Sequence, residues 1–365
     1  MLYLAIAITK LHATRVTILG KFDSDLKERY EGFFKLDLSD ITFEITKDYS
    51  HALKETARSA DVFISQLNFR MMDTEPKQYV LALQIPYGRI TPWSMGRKIM
   101  RGNIKDLAKD ILRLRLLRFA KRDAQLVLSN SQFVRDTLRR NYGIESHLLY
   151  PPISDFLVEG IPRRNIILSV GRFFRGLYND KRYDVLTSAF RKLSRQMTDW
   201  EYHIVGSASP GRETTRYIET LRKENAGFPI FFHINEKLEH LARLYNTARI
   251  YWHGAGYGVD ENKYPEKTEH FGMSVVEAMS ARCVPVVVDK GGLREIVNHG
   301  VDGFLWDTTD QLIEYTLNVA GLSPDQLDTL HRKARDRYQR FAVNNFDRRV
   351  AEIFSPILAR SDPGS

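Results

Sequence analysis

The sequence predicts an α/β chain built as two doubly wound domains, each a parallel sheet covered by helices on both faces. Short apolar, β-branched runs alternate with longer segments of helical periodicity along the 365 residues. Those runs are continuously apolar rather than alternating, which is the pattern of strands buried on both faces. They also group as five in each half, and a chain of this length readily makes two domains.

In order, "RVTILG", "ITFEIT", "DVFIS", "YVLALQI" and "AQLVLSN" are the expected strands of the first half. "NIILSVG", "YHIVG", "PIFFHI", "ARIYWHG" and "CVPVVV" are those of the second, with helical runs such as "DVLTSAFRKLSRQ" and "LEHLARLYNTA" between them. The stretch "YPPISDFLVEGIPRRN" breaks regular structure with Pro151, Pro152, Gly160 and Pro162. The expected domains are therefore residues 1–155 and 156–335. A closing segment, 336–365, is expected to be a helix that crosses back to the first domain, followed by a polar tail.

Composition narrows the function classes. Hydrophobic residues make up 43% and charged residues 27%, an ordinary globular balance. No stretch approaches the roughly 20 consecutive apolar residues that span a bilayer. "MLYLAIAITK" has neither the basic start nor the small-residue cleavage site of a signal peptide. With one cysteine, Cys283, no disulfide forms within the chain, which suits a reducing compartment. The expected location is cytoplasmic, peripheral on the inner face of a membrane. The ten histidines are scattered without metal-ligand spacing, so no metal is required.

The net charge of +9 is concentrated. Residues 89–122 carry eleven Lys and Arg against two Asp, an excess equal to that of the whole chain. Arg97, Arg101, Lys105, Lys109 and Arg113 recur every four positions, one cationic stripe if the segment is a single helix. Ile104, Leu107, Ile111 and Leu114 form an apolar face beside it. Two readings stand: a solvated helix face, or contact of 97–122 with an anionic membrane surface or an anionic lipid-linked acceptor. Nucleic acid is not an expected partner, because no recognition motif or interleaved aromatics accompany the charge.

In open α/β sheets, ligands sit at the carboxyl ends of strands. In "SVGRFFRGLYNDKRYDVLTSAF", a strand ends before Gly171, and Arg172 and Lys181 flank a loop that enters a helix. Cations beside a helix N-terminus suit a diphosphate, while the plainer reading of Arg175, Lys181 and Arg182 is solvated loop charge. In "KTEHFGMSVVEAMSARCVPVVV", Glu269 and Glu277 have seven residues between them. Ser274 and Glu277 match S-x-x-E, a capping box, so Glu277 reads as a cap or as a ligand for hydroxyls, while Glu269 is a loop carboxylate. His253 ends a strand, either facing the ligand or satisfied by local backbone.

"EHFGMSVVEAMSARCVPVVVDKGGLREIVNHGVDGFLW", "SVGRFFRGLYNDKRYDVLTSAFRKL" and "LSNSQFVRDTLRRNYGIESHLLYPPI" together resemble the motifs of retaining family-4 glycosyltransferases, nucleotide-sugar enzymes of the GT-B fold. The resemblance is most specific between Ile166 and Trp306. It implies two Rossmann-like domains facing a cleft and a UDP-sugar or GDP-sugar donor. The implied acceptor is a glycan or lipid-linked intermediate of cell-surface polysaccharide synthesis. Arg172 and Lys181 would hold the donor diphosphate, and Glu269 the hydroxyls of the donor sugar. The backbone at Phe271, Gly272, Met273 and Ser274 would lie against the sugar and phosphates, and Glu277 would take the ribose. Gly171, at the tight strand exit, would belong to the donor-binding set, and Gly206 with Ile234–Asn235 would border the nucleobase.

Three departures from the family's pattern are visible. The chain begins at what resembles the family's first helix, so the first strand and Gly-rich loop of the N-terminal domain are expected to be missing. The region of "LALQIPYG" has Gln84 where the family often has histidine. Arg282 stands where the helix commonly ends in Gly; a positive φ there costs on the order of 1 kcal/mol. These departures keep a second expectation open, a non-catalytic GT-B relative serving as a binding or scaffold subunit.

Overall fold

The computed structural model describes residues 2–11, 14–20, 25–34, 36–45, 49–66, 77–176 and 180–359. The chain divides into two compact units. Unit 1 comprises Met1–Asn130, Val134–Pro152 and Asn344–Ser365, and unit 2 comprises Ser131–Phe133 and Ile153–Val343.

In unit 1 the helix Leu2–Thr9 precedes β1 (Val16–Gly20), β2 (Ile41–Ile45), β3 (Val62–Gln66), β4 (Gln78–Leu83), β5 (Leu126–Ser129) and β6 (His147–Leu148). All pairings are parallel, but they form two sheets, β1-β2 and β3-β4-β5-β6, where the sequence implied one. Side chains join what backbone hydrogen bonds do not. Val16 packs with Leu4, Ala7 and Val80 in one apolar cluster and with Ala5, Leu38 and Ile41 in another. The closing helix, Val343–Ala359, contributes Phe346, Val350, Ile353 and Phe354 to the first of these clusters.

The segment 92–122 is not one helix, which corrects the single cationic stripe. It splits into Pro92–Met100 and Ile104–Arg122. Thr91 and Ser94 form a capping box on the first, Gly102 turns at φ +65°, and Asn103 caps the second. The helices pack as a hairpin, with the buried Asp110 carboxylate taking the Lys98 ammonium and standing 3.6 Å from Arg113. Ile104 and Ile111 of the expected apolar face are exposed, whereas Leu107 and Leu114 are half-buried.

Unit 2 holds β7 (Arg164–Val170), β8 (Glu201–Gly206), β9 (Ile230–Ile234), β10 (Ala248–His253), β11 (Val284–Val288) and β12 (Phe304–Trp306). They make one parallel sheet in the order β12-β11-β10-β7-β8-β9. β11 is buried along its whole length, as its continuous apolar run implies. β6 and β12 were not legible as strands, because two or three residues carry no periodicity. The strand order reverses between β7 and β10, so the crevice beyond their carboxyl ends is the topological switch point where such sheets bind ligands.

The helix Met273–Ser280 ends with Arg282 at φ 65°. Its N–H bonds the Met279 carbonyl at 2.9 Å and that of Cys283 bonds Ala278 at 2.9 Å, the two bonds of a Schellman motif. The Arg282 carbonyl in turn accepts from Nδ1 of His331, which is buried on the helix Pro324–Tyr338. Burial and the Arg163 guanidinium pull this imidazole from 6.5 down to about 4. Between those values the unfolded chain binds the extra proton, so stability is full above pH 6.5 and falls as pH drops toward 4. The expected loss is on the order of 3 kcal/mol, read as a falling urea midpoint. His331→Gln should flatten that slope; an unchanged slope in the variant would exclude His331 as its source.

Candidate functional site

The crevice beyond β7 and β10 gathers most of the residues singled out from the sequence. β7 ends at Val170, and the Gly171 N–H continues the ladder by bonding the Val205 carbonyl at 2.9 Å. Here the chain runs so close to β8 that a Cβ on Gly206 would lie 1.8 Å from the Gly171 carbonyl oxygen. Gly206 is therefore required by close approach of backbone to backbone. Lys181 folds back over the same turn, where a Cβ on Gly171 would meet its Cε at 2.8 Å.

Lys181 is thereby aimed at Glu269, and its ammonium lies 2.5 Å from Oε2. The His253 Nε2, at the end of β10, lies 2.9 Å from the same oxygen. Glu269 and His253 are both buried. Burial alone would raise the Glu269 carboxyl, but the Lys181 charge and the His253 hydrogen bond outweigh it and hold the group well below the usual carboxylate range. Burial and Lys181 also lower the His253 imidazole, so the ring is neutral and donates Nε2–H to the carboxylate. Oε1 of Glu269 has no protein partner among the described residues. The result is a fixed, ionised carboxylate with one oxygen held by two donors and the other available as an acceptor.

Sequence reasoning assigned Lys181 and Glu269 to different parts of a ligand, and the structure pairs them. The sequence leaves His253 open between facing the ligand and local backbone satisfaction; in the structure its partner is a carboxylate. Its place at the carboxyl end of a strand was the one signal in the sequence.

The capping box at Ser274 and Glu277 is corrected. Gly272, at φ +115°, is the residue before the helix Met273–Ser280, and no side chain caps it. The Gly272 carbonyl accepts from Val275 and Val276 at 3.0 and 3.3 Å, so Ser274 already lies inside the first turn. The Ser274 hydroxyl meets the Tyr251 hydroxyl at 2.8 Å instead. Glu277 accepts from the Tyr245 hydroxyl at 2.8 Å. Burial raises the Glu277 carboxyl, against that hydrogen bond.

The remaining residues flank this centre. Arg172 is exposed on the turn after β7, its guanidinium 5.1 Å from the Phe174 ring, and no carboxylate pairs with it among the described residues. Phe271 is buried with its ring edge-on to Phe341, while Met273 is exposed. Asn235, at φ 56°, donates its N–H to the Gly206 carbonyl at 2.9 Å and accepts from Ala208 N–H through Oδ1 at 2.9 Å. The exits of β8 and β9 thus form one rim. No group of three or more metal-ligating side chains occurs among the described residues.

Residues 156–336, about half of the chain, match the family described as glycosyl transferases group 1. A GDP-Man:Man(3)GlcNAc(2)-PP-Dol alpha-1,2-mannosyltransferase of Dictyostelium discoideum is 26% identical over 259 residues, 65% of this chain and 48% of that protein. The mannosylfructose-phosphate synthase of Agrobacterium fabrum is 24% identical over 211 residues, 52% of this chain and 43% of that protein. The chain spans about half the length of the curated relatives it matches. Among solved structures, Anabaena HepE in complex with UDP and glucose has a TM-score of 0.69 at 17% identity, over 96% of this chain and 95% of that one. A glycosyltransferase from Rickettsia africae has the same TM-score, 0.69, at 18% identity, over 100% of this chain and 94% of that one. The fold is that of the GT-B glycosyltransferases. By the match across its second unit, and with this fold, the chain belongs to the group 1 glycosyl transferases.

Proposed function

We infer that the protein is a retaining glycosyltransferase that moves a sugar from a UDP- or GDP-sugar to a hydroxyl of a glycan or lipid-linked acceptor, in cell-surface polysaccharide synthesis. The observation that carries this is the Lys181–Glu269–His253 cluster at the switch point of the unit 2 sheet. The unpartnered Oε1 of Glu269 is an acceptor for donor-sugar hydroxyls. Arg172 and Lys181 attract the diphosphate and stabilise the charge that develops on it as the sugar–phosphate bond breaks. The backbone of Phe271, Gly272, Met273 and Ser274 lines the sugar and phosphates, Gly171 the phosphates, and Gly206 with Asn235 the base. Glu277, held by Tyr245, takes the ribose hydroxyls.

In this reading the acceptor attacks from the face that the leaving phosphate vacates, and that phosphate receives the acceptor's proton. The named relatives support either base: one is named for GDP-Man, and HepE was solved with UDP. The lipid-linked acceptor rests on the first of these, named for a dolichol-diphosphate glycan. A cytoplasmic, membrane-peripheral location agrees with the lone buried Cys283 and with the absence of a helix long and apolar enough to cross a membrane among the described residues.

A second reading, a non-catalytic binding or scaffold subunit, is favoured by Gln84 standing where the family often has histidine. A calorimetric screen of UDP-, GDP- and ADP-sugars, with turnover measured in the presence of membrane extract, decides. Binding with turnover is expected. Binding without turnover would favour a non-catalytic binding subunit, and no binding would refute the enzyme and leave the scaffold.

A further inference from the structure

The hairpin of helices Pro92–Met100 and Ile104–Arg122 leaves apolar surface exposed that its charge does not explain. Trp93 is 71% exposed, Ile99 63%, Met100 89% and Ile104 74%. With Ile111 and Leu112 they supply six of the eleven large exposed hydrophobic side chains of the described residues, within twenty positions. The helix Pro92–Met100 buries none of its side chains. Trp93, Arg97 and Met100 stand at i, i+4 and i+7 and so share one face, with the Arg97 guanidinium 4.8 Å from the Trp93 ring. Ile104, Ala108 and Ile111 share a face of the second helix by the same spacing.

The charges around this surface are of one sign. Asp110 is buried and neutralised by Lys98 and Arg113, and Asp106 is engaged by Lys109 and Asn103. Arg97, Arg101 and Lys105 are exposed and have no carboxylate partner among the described residues. A surface with exposed Ile99, Met100 and Ile104 about its turn, Trp93 along the same helix and unpaired cations around them is complementary to an anionic lipid–water interface. There the ring and aliphatic chains enter the acyl boundary, and the long basic side chains reach back to the headgroups. A second copy of the chain fits poorly, because a two-fold contact would set these cations against themselves.

We propose that the hairpin 92–112 is an interfacial docking element that inserts Trp93, Ile99, Met100 and Ile104 into an anionic bilayer surface. This goes beyond glycosyl transfer and stands whether or not a donor is turned over. The molecule carries its own reporter: of four tryptophans, Trp200, Trp252 and Trp306 are buried and Trp93 is exposed.

The test uses the full chain with vesicles of phosphatidylcholine alone and of phosphatidylcholine with phosphatidylglycerol. Expected are co-sedimentation with the anionic vesicles only, a blue shift of tryptophan emission, and protection from acrylamide. Trp93→Phe should remove both optical signals. Ile99→Ser/Met100→Ser/Ile104→Ser should weaken binding by about tenfold or more, and Arg97→Glu/Arg101→Glu/Lys105→Glu should abolish it. All these positions are exposed, so circular dichroism should not change. No sedimentation, equal sedimentation with neutral vesicles, or binding that leaves Trp93 open to acrylamide would overturn the proposal. So would protection of Trp93 by self-association without lipid, seen by analytical ultracentrifugation, which would assign the face to a second copy.

Discussion

Glu269→Gln is expected to lower turnover of the donor selected by the screen on the order of 100-fold, in a protein that still folds. Lys181 and His253 both donate to Oε2. The amide oxygen of glutamine must therefore occupy that position, and its NH2 group then faces the place where Oε1 was. A charged acceptor for sugar hydroxyls becomes a neutral donor. Charge-assisted hydrogen bonds are roughly twice as strong as neutral ones, so the loss falls on substrate positioning as well as on charge. Lys181 also loses its counter-charge in a partly buried site, which is destabilising. The melting temperature is measured alongside kcat to separate the two effects. Glu277→Ala should differ, raising the donor KM with kcat changed little, because that carboxylate is assigned to the ribose. Near-normal kinetics in both variants would refute the assigned roles.

Gly206→Ala is expected to be among the most damaging single-methyl changes in unit 2. The added carbon would lie 1.8 Å from the Gly171 carbonyl oxygen, 2.9 Å from its carbon and 3.2 Å from Phe173 Cε2. Two of these are backbone atoms. The Gly171 turn is also pinned by the Val205 carbonyl and by the Tyr183 hydroxyl, which donates to the Gly171 oxygen at 2.9 Å. The strand exits must separate to admit the methyl group, at about 3 kcal/mol or more, the upper end of overpacking costs. Because Lys181 lies across Gly171, the same displacement moves it away from Glu269, so donor affinity should fall with stability. A urea midpoint unchanged by the substitution would show that the turn yields freely.

The two outcomes differ in how much of each was legible beforehand. Glu269 and Gly206 were named from a family resemblance, and the spacing of Glu269 and Glu277 left cap and ligand equally open. The capping box failed for a local reason: Gly272 adopts a left-handed conformation and starts the helix earlier, which S-x-x-E cannot reveal. The cationic stripe failed at Gly102 and Asn103, where a turn and a new cap interrupt a spacing that fitted one continuous helix. At Arg282 the family resemblance, which has Gly there, raised the question of a positive φ, and the structure answers it at φ 65°.

By itself the sequence determined the alternation of strands and helices, the parallel, two-face-buried character of β11, and the loops at which ligands should be sought. These follow from hydrophobic periodicity and turn chemistry, which act over a few residues. Only the tertiary structure decided that Lys181 and Glu269, 88 positions apart, share an ion pair, and that His253, 16 positions before Glu269, completes it. The strand order sets that meeting: β7 and β10 must lie side by side before the groups at their ends can touch. The low pKa of Glu269 arises from the same juxtaposition, because burial alone would have pushed it the other way.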